Sequence, residues 1–298
     1  MKTPANKGEQ RLAYVLLFPA FLIVVVVVLI PLIMTFADSL KHYNLLDMSG
    51  GTPFVGLQNY AKLLSDPGFW GSLGRTLHFT ILSLVIEFIL GVAIAMLLHA
   101  KFHGQWLLRG LIVIPWAIPT IVNGAMWRWI YNPSYGALNN FLVWLHLTKT
   151  YHQWLGSPAT AMNMVVIADA WKMIPLVAML VLAALQLIPE DVYEAVAVDG
   201  AGRIRSFFSI TLPYLKNVIL VVLVIRTIDA IKVFDIIYAM TGGGPANSTM
   251  PVAYYAYDAT FNQLFISRGA AAAYLIAMLT LIFTIVYSRL LKTEEESK

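Results

Sequence analysis

The chain has 298 residues, of which 59% are apolar and 12% charged, with a formal net charge of +4 and no cysteine. A soluble domain is about 45 to 50% apolar, so this composition belongs to an integral membrane protein, and the absence of cysteine excludes a disulfide framework and thiolate metal sites. The six His residues show no paired spacing of the HExxH kind, and the basic residues are scattered at the ends of apolar runs, which fits membrane topology rather than a metal centre or nucleic-acid binding.

A bilayer core of about 30 Å needs about 20 helical residues. Six stretches reach that length, approximately Leu12 to Phe36, Leu73 to Leu98, Trp106 to Tyr131, Met162 to Ile188, Leu215 to Met240 and Gly269 to Leu291. The expected fold is therefore all-α, one transmembrane domain over residues 1–298 with its six-span core from about 12 to 291. The first apolar run is too long for a signal core and no small-x-small cleavage site follows it, so it reads as a retained anchor. The outer segment FVGLQNYAKLLSDPGFW carries a turn signal at Asp66, Pro67 and Gly68 and interfacial aromatics at Phe54, Tyr60, Phe69 and Trp70, and reads as an amphipathic helix on the membrane.

In the second span Glu87 stands in an apolar run, where an acid costs about 2.5 to 3.5 kcal/mol on insertion scales for Asp. It must face protein or water or be protonated, and both a structural partner and a solute contact fit. The short turn HAKFHG makes the second and third spans antiparallel neighbours. In the third span Pro115 and Pro119 remove backbone donors, so the helix is expected to be irregular. Asn123 and Trp127 are then candidates to line a path, although Trp127 and Trp129 also read as interfacial belt aromatics. The fourth span carries Asp169 and Lys172 at neighbouring helical positions, either an internal ion pair or a contact to a hydroxylated ligand. In the fifth, Arg226, Asp229, Lys232, Asp235 and Tyr238 recur every third residue with alternating charge, a stripe that must face protein or water. TGGGPANST then breaks the helix at the outer surface, and Gly269 with four alanines gives the sixth span a face for close packing.

Between the fourth and fifth spans lies a polar stretch, residues 190–217, reading EDVYEAVAVDGAGRIRSFFSITLPYLKN. A short helix ending at Gly200 and a second from about Ala201 to Ile210 make a helix-turn-helix suited to docking another protein. The spacing of Glu194, Ala195, Asp199, Gly200, Ala201, Phe207, Ile210, Leu212 and Pro213 resembles the EAA loop of ABC importer permeases. Val196 and Asn217 depart from that pattern, and neither touches the acids or the glycine corner. The outer FVGLQNYAKLLSDPGFW, PWAIP in the third span and the FD of Phe234 and Asp235 before TGGGP resemble the first permease subunit of carbohydrate importers of the maltose-transporter type.

The resemblance implies the type I importer permease fold and a coupling role for Glu194, Ala195, Asp199, Gly200, Ala201 and Phe207 against an ATPase subunit. It also implies a second permease subunit, an ABC ATPase dimer and an extracytoplasmic solute-binding protein as partners, besides membrane lipid. No GxxxxGK[ST] phosphate loop occurs in the chain, so ATP and Mg would be held by the ATPase and no cofactor by this chain. No catalytic residue is expected. Asn123, Trp127, Lys172, Asp229, Lys232, Asp235 and Tyr238 are the candidates for a translocation path or solute contact. With the N-terminus inside, Lys2, Lys7, Arg11, Lys101, Arg109, Arg203, Arg205, Lys216, Arg289, Lys292 and Lys298 fall on the cytoplasmic side. Lys41, Lys62, Arg75, Lys149 and Arg268 fall outside. That bias puts both termini and the 190–217 stretch on the cytoplasmic side, and the resemblance implies the cytoplasmic membrane of a bacterium or archaeon. The solute would be a sugar, an oligosaccharide or a related polyol. The competing reading is an ion-coupled secondary transporter using the intramembrane charges as a relay, for which inverted repeats are expected and not found.

Overall fold

The structure, a computed structural model, describes residues 7–47, 49–100, 102–198 and 200–295. Among these it is built from helices: α1 (Lys7–Val24), α2 (Ile30–Ser39), α3 (Gln58–Leu64), α4 (Pro67–His99), α5 (Gln105–Ala117), α6 (Thr120–Ile130) and α7 (Ala137–Trp144). There follow α8 (Ala161–Leu185), α9 (Glu190–Val198), α10 (Arg203–Ser206), α11 (Leu212–Ile231), α12 (Asp235–Met240), α13 (Val252–Tyr257) and α14 (Ile266–Glu295). Five helical runs are long and apolar enough to cross a membrane, or six if the bent pair α5 and α6 is one span. The chain divides into two compact units, one holding the chain up to Asp66 with Ala256–Tyr274, the other Pro67–Tyr255 with the chain from Leu275 onward.

In the first unit α1 and α2 join through a π-helical turn, Val25–Leu29, into one apolar helix with none of its most apolar window buried. A helix apolar on every side suits lipid. Its C-terminal end leaves carbonyls without helical partners, and α3 supplies them. The Asn59 amide donates to the carbonyls of Ser39 at 2.7 Å and Lys41 at 2.8 Å, and the Ser39 and Tyr60 hydroxyls meet at 2.7 Å. The carboxylate of Asp66 pairs with Arg268. The expected outer helix is thus a clasp that fixes where the first span ends.

The second unit is organised around α8, which packs along α4. α4 starts at Pro67 rather than near Leu73, because proline preset to helical φ is tolerated where no N–H is needed. Gly91 of α4 faces Val177 of α8 so closely that a Cβ there would lie 2.7 Å from Val177 Cγ1 and 2.8 Å from its Cβ. Around that crossing Ala95, Leu98, Val181, Leu185 and Leu215 are buried together. Gly91→Val is therefore expected to destabilise the α4/α8 pair by about 1 to 3 kcal/mol, since a branched Val177 at a backbone-close site cannot swing aside. The check is the thermal midpoint of the detergent-purified protein, with Gly110→Val, at a glycine with open space around it, left near wild type.

Two spans depart from the sequence expectation. The third, expected from Trp106 to Tyr131, breaks at Ile118 and Pro119 into α5 and α6, whose axes differ by 94°. Ile118 is extended, as a residue before proline prefers. The fifth, expected from Leu215 to Met240, ends at Ile231, and α12 starts anew at Asp235. Residues 232–234 are non-helical, so the stripe of charges is not a continuous helical face. Neither glycine nor proline marks this break. Its physical setting is a polar cleft, where backbone freed from helical bonding is tolerated within the membrane.

The second helix of the 190–217 stretch is likewise not a separate short element. α10, a π-helical turn at Phe207–Thr211 and α11 run on as one helix, Arg203–Ile231. The widened turn precedes Pro213 at the start of α11 and lets the proline enter without the clash a regular turn would impose.

Candidate functional site

Arg226 of α11 is the centre of a charge cluster inside the second unit. Its Nε donates to Glu87 Oε2 and its Nη2 to Glu87 Oε1, both at 2.7 Å. The same Nη2 donates to Asp169 Oδ2 at 3.2 Å, and Nη1 lies 3.9 Å from Asp229 Oδ2. Glu87 is 0% and Arg226 2% exposed. A guanidinium fork matches a carboxylate with two parallel bonds, which is why one arginine can tie α4, α8 and α11 together where water is excluded.

This arrangement corrects the expected pairing of Asp169 with Lys172. Asp169 bonds to Arg226 instead, and among the described residues Lys172 Nζ has the sulfur of Met173, at 3.9 Å, as its polar neighbour. Three residues apart on one helix, Asp169 and Lys172 are adjacent but point to different partners. Sequence reasoning placed Arg226 and Glu87 in spans without joining them. The signal was present in the insertion cost of two buried charges of opposite sign, each needing a partner.

Beside the cluster lies a cleft of about 250 Å³ whose lining includes Asp169, Lys172, Arg226, Asp229, Lys232 and Asp235. Four of the candidate path residues, Lys172, Asp229, Lys232 and Asp235, thus come together here. The helix break at 232–234 is what lets Lys232 and Asp235 turn toward one space. Asp229, Lys232, Asp235 and Tyr238 are at least partly exposed in the isolated chain, while Val222 is buried. Tyr238 stacks on Phe234 with ring centroids 5.7 Å apart and is not among the lining residues.

Asn123 and Trp127 are placed elsewhere. Asn123 is buried, and its amide donates to the carbonyl of Ala168 at 3.1 Å, fastening α6 to α8. Gly124 beside it admits α12, since a Cβ there would meet Ala239 Cβ at 2.7 Å. Trp127 packs edge-on against Trp171 and tilted against Tyr131, with centroids 5.8 and 5.1 Å away. Asn123 Oδ1 and the Trp127 indole N–H are buried without partners among the described residues.

At the other end of α8 the 190–217 stretch forms a corner. Gly200 has φ +74°, a left-handed conformation that glycine adopts without penalty, and the Ala201 N–H closes the turn on the carbonyl of Val196 at 3.1 Å. The Tyr193 and Thr211 hydroxyls meet at 3.1 Å and hold α9 against the π-helical turn. Phe207 and Ala201 line a second cavity with Tyr193 and with Met96 and His99 of α4. Glu194 is exposed and forms no ion pair among the described residues. Val198, Ile204 and Phe208 of the same stretch are exposed apolar residues, at 88%, 78% and 62%. Asp199 lies outside the described residues, and so does the side chain of Ala195.

Residues 87–292 match the family model of binding-protein-dependent transport system inner membrane components. The chain belongs to that family. The matched span opens at Glu87 and contains the charged residues of the cleft and the corner. As an inner membrane component of a binding-protein-dependent system, the chain is a multi-pass permease subunit of the inner membrane and not itself an enzyme. Among its relatives is a trehalose/maltose transport system permease protein, MalF, of Thermococcus litoralis, 42% identical over 94% of this chain and 93% of that one. Another is the sulfoquinovosyl glycerol transport system permease protein SmoG of Agrobacterium fabrum, 36% identical over 97% and 92%. The permease fold also matches the crystal structure of a bacterial ABC transporter involved in import of the acidic polysaccharide alginate, with a TM-score of 0.82 over 96% of both chains at 22% identity.

Proposed function

We propose that this chain is the first permease subunit of an ATP-driven importer and moves a carbohydrate across the inner membrane. What carries the reading is the 42% identity, over nearly the whole of both chains, to a trehalose/maltose transport system permease. Its partners on this reading are a second permease subunit, a dimer of ATPase subunits that holds ATP and Mg, and an extracytoplasmic binding protein that delivers the solute. The permease domain spans the whole chain and itself holds no cofactor. Both termini and the 190–217 corner face the cytoplasm, supported by the excess of Lys and Arg on that side. The corner, through Glu194, Ala195, Asp199, Gly200, Ala201 and Phe207, couples to the ATPase. Purification of the assembled complex into proteoliposomes tests the assignment. ATP-dependent uptake of labelled trehalose or maltose that needs the binding protein supports it, and uptake driven by a proton or sodium gradient without ATP overturns it in favour of a secondary transporter.

The charged cleft serves as part of the translocation path, with Lys172, Asp229, Lys232 and Asp235 offering donors and acceptors to solute hydroxyls and Tyr238 beside them, while Asn123 and Trp127 pack α6 against α8 and do not line it. Cysteine at 229, 232 or 235 is expected to react with water-soluble thiol reagents in the assembled complex at least about tenfold faster than cysteine replacing the buried Val222. Labelling at the slow Val222 rate for all three would overturn the path assignment and leave a buried structural ion network instead.

A further inference from the structure

A different cavity, of about 420 Å³, opens at the end of the second unit where α6 finishes and α8 begins. The chain runs from this cavity through α8, a membrane-length helix, before it reaches the 190–217 corner, so the two lie at opposite membrane faces. With the corner in the cytoplasm, the cavity is at the outer mouth. Its walls include Arg128, Tyr131, Asn132, Gln153, Trp154 and Thr241, and among the described residues no acid lines it.

The walls are held by a buried network. Asn139, at 0% exposure, donates to the carbonyls of His152 at 3.1 Å and Asn132 at 3.4 Å. Its Oδ1 accepts from the His152 N–H at 3.2 Å and from the Trp154 indole at 2.9 Å. The indole ring is thereby fixed in place, with His152 edge-on to it at 5.4 Å. Tyr131 donates its hydroxyl to the carbonyl of Met164 at 3.3 Å, and Thr241 shares a hydrogen bond of 2.7 Å with Thr249. Gly136 admits no Cβ, which would fall 2.4 Å from the carbonyl oxygen of Asn132, so the backbone packs closely on itself there.

What the network leaves uncommitted is a set of donors. The Arg128 guanidinium and the Gln153 amide have no hydrogen-bond partner among the described residues. Asn132 uses its Oδ1 to accept from the Ser134 and Tyr135 N–H groups, which leaves its NH₂ free. A rigid aromatic face beside several donors, with no acid to neutralise the arginine, is complementary to a pyranose: its C–H face rests on the ring and its hydroxyl oxygens accept. The volume falls in the range of about 300 to 1,000 Å³ typical of small-ligand sites.

We infer that this cavity is an entry site, separate from the charged cleft, that holds one sugar residue of the solute at the outer mouth, with Trp154 against the sugar ring and Arg128, Gln153 and Asn132 donating to its hydroxyls. The inference rests on the carbohydrate reading. A site of this kind sets how readily solute passes from the binding protein to the path. It leaves the ATP-driven step untouched.

The test uses the assembled complex in nanodiscs and proteoliposomes with trehalose and maltose as probes. Trp154→Ala and Gln153→Ala are each expected to raise the KM for uptake about tenfold, the equivalent of one lost stacking or hydrogen-bonding contact. The kcat and the ATPase rate without solute should stay within about twofold of wild type, a split that misfolding would not give. Because Trp154 also serves the Asn139 network, Gln153→Ala, which disturbs no described side-chain bond, decides the matter if Trp154→Ala assembles poorly. Saturation-transfer NMR should show the probes receiving magnetisation from wild-type complex without binding protein, and less from Gln153→Ala. Unchanged KM and unchanged transfer in Gln153→Ala, in a complex that imports both sugars, overturns the entry site alone. If neither sugar reaches the cavity but the binding protein without sugar shields a cysteine at 153, the cavity receives a peptide loop and the inference is wrong. Failure of the wild-type complex to import or bind any saccharide instead overturns the carbohydrate reading beneath it.

Discussion

Glu194→Lys is expected to reduce ATP-driven uptake more than about tenfold while leaving the spans inserted and the protein abundant. Glu194 is exposed on α9 and has no ion-pair partner among the described residues, so its charge is available to a basic group on a docking subunit. A charge pair at an interface that excludes water is far stronger than one on an open surface, and reversing one sign replaces attraction by repulsion. Val198, Ile204 and Phe208 in the same stretch are exposed and would offer apolar contact to a docking subunit. Gly200→Val is expected to give the same loss by another route. With φ +74°, a branched side chain at 200 is strained whatever space surrounds it, and the turn that aims α10 must move. Uptake and co-purification of the ATPase subunit, measured together for each variant, are the check. Full transport by both would mean that the corner is an ordinary loop.

Arg226→Leu is expected to prevent a stable permease from accumulating. The substitution leaves the carboxylates of Glu87 and Asp169 buried without the cation that both contact, and breaking a buried pair by removing one partner costs about 3 to 5 kcal/mol. The control is the neutral triple variant Glu87→Gln, Asp169→Asn and Arg226→Leu. It removes all three charges, and detergent-stable protein is expected to return to at least half the wild-type yield. Poor yield from the triple variant and good yield from Arg226→Leu would together reverse the assignment and make the cluster a device for transport rather than for assembly.

The membrane spans were legible because their signal is length and apolarity, which tertiary context does not alter. The corner at Gly200 was legible because a left-handed turn restricts residue type. What escaped was geometry set by distant contacts. The break after Ile231 carries no proline or glycine, and it is permitted by a polar cleft assembled from several helices. The partner of Asp169 was misread because sequence distance favoured Lys172, whereas a guanidinium arriving from α11 already held Glu87 and reached a second carboxylate. The cavity around Trp154 escaped for the same reason: its walls come from segments that meet only after folding, and Asn139, which joins them, looks in sequence like any polar loop residue.

The helix that starts at Arg203 continues to Ile231, 29 residues with no joint other than the π-helical turn near its N-terminal end. At 1.5 Å per residue it is a rod of about 43 Å, and a tilt of about 5° at one end sweeps the other through roughly 4 Å. Arg226 stands near the far end, gripping two neighbouring helices, so α4 and α8 are drawn along rather than slid past. The rod ends at the unwound residues 232–234, so on the proposed reading that short stretch is where a stroke applied at the 190–217 corner would change the width of the charged cleft.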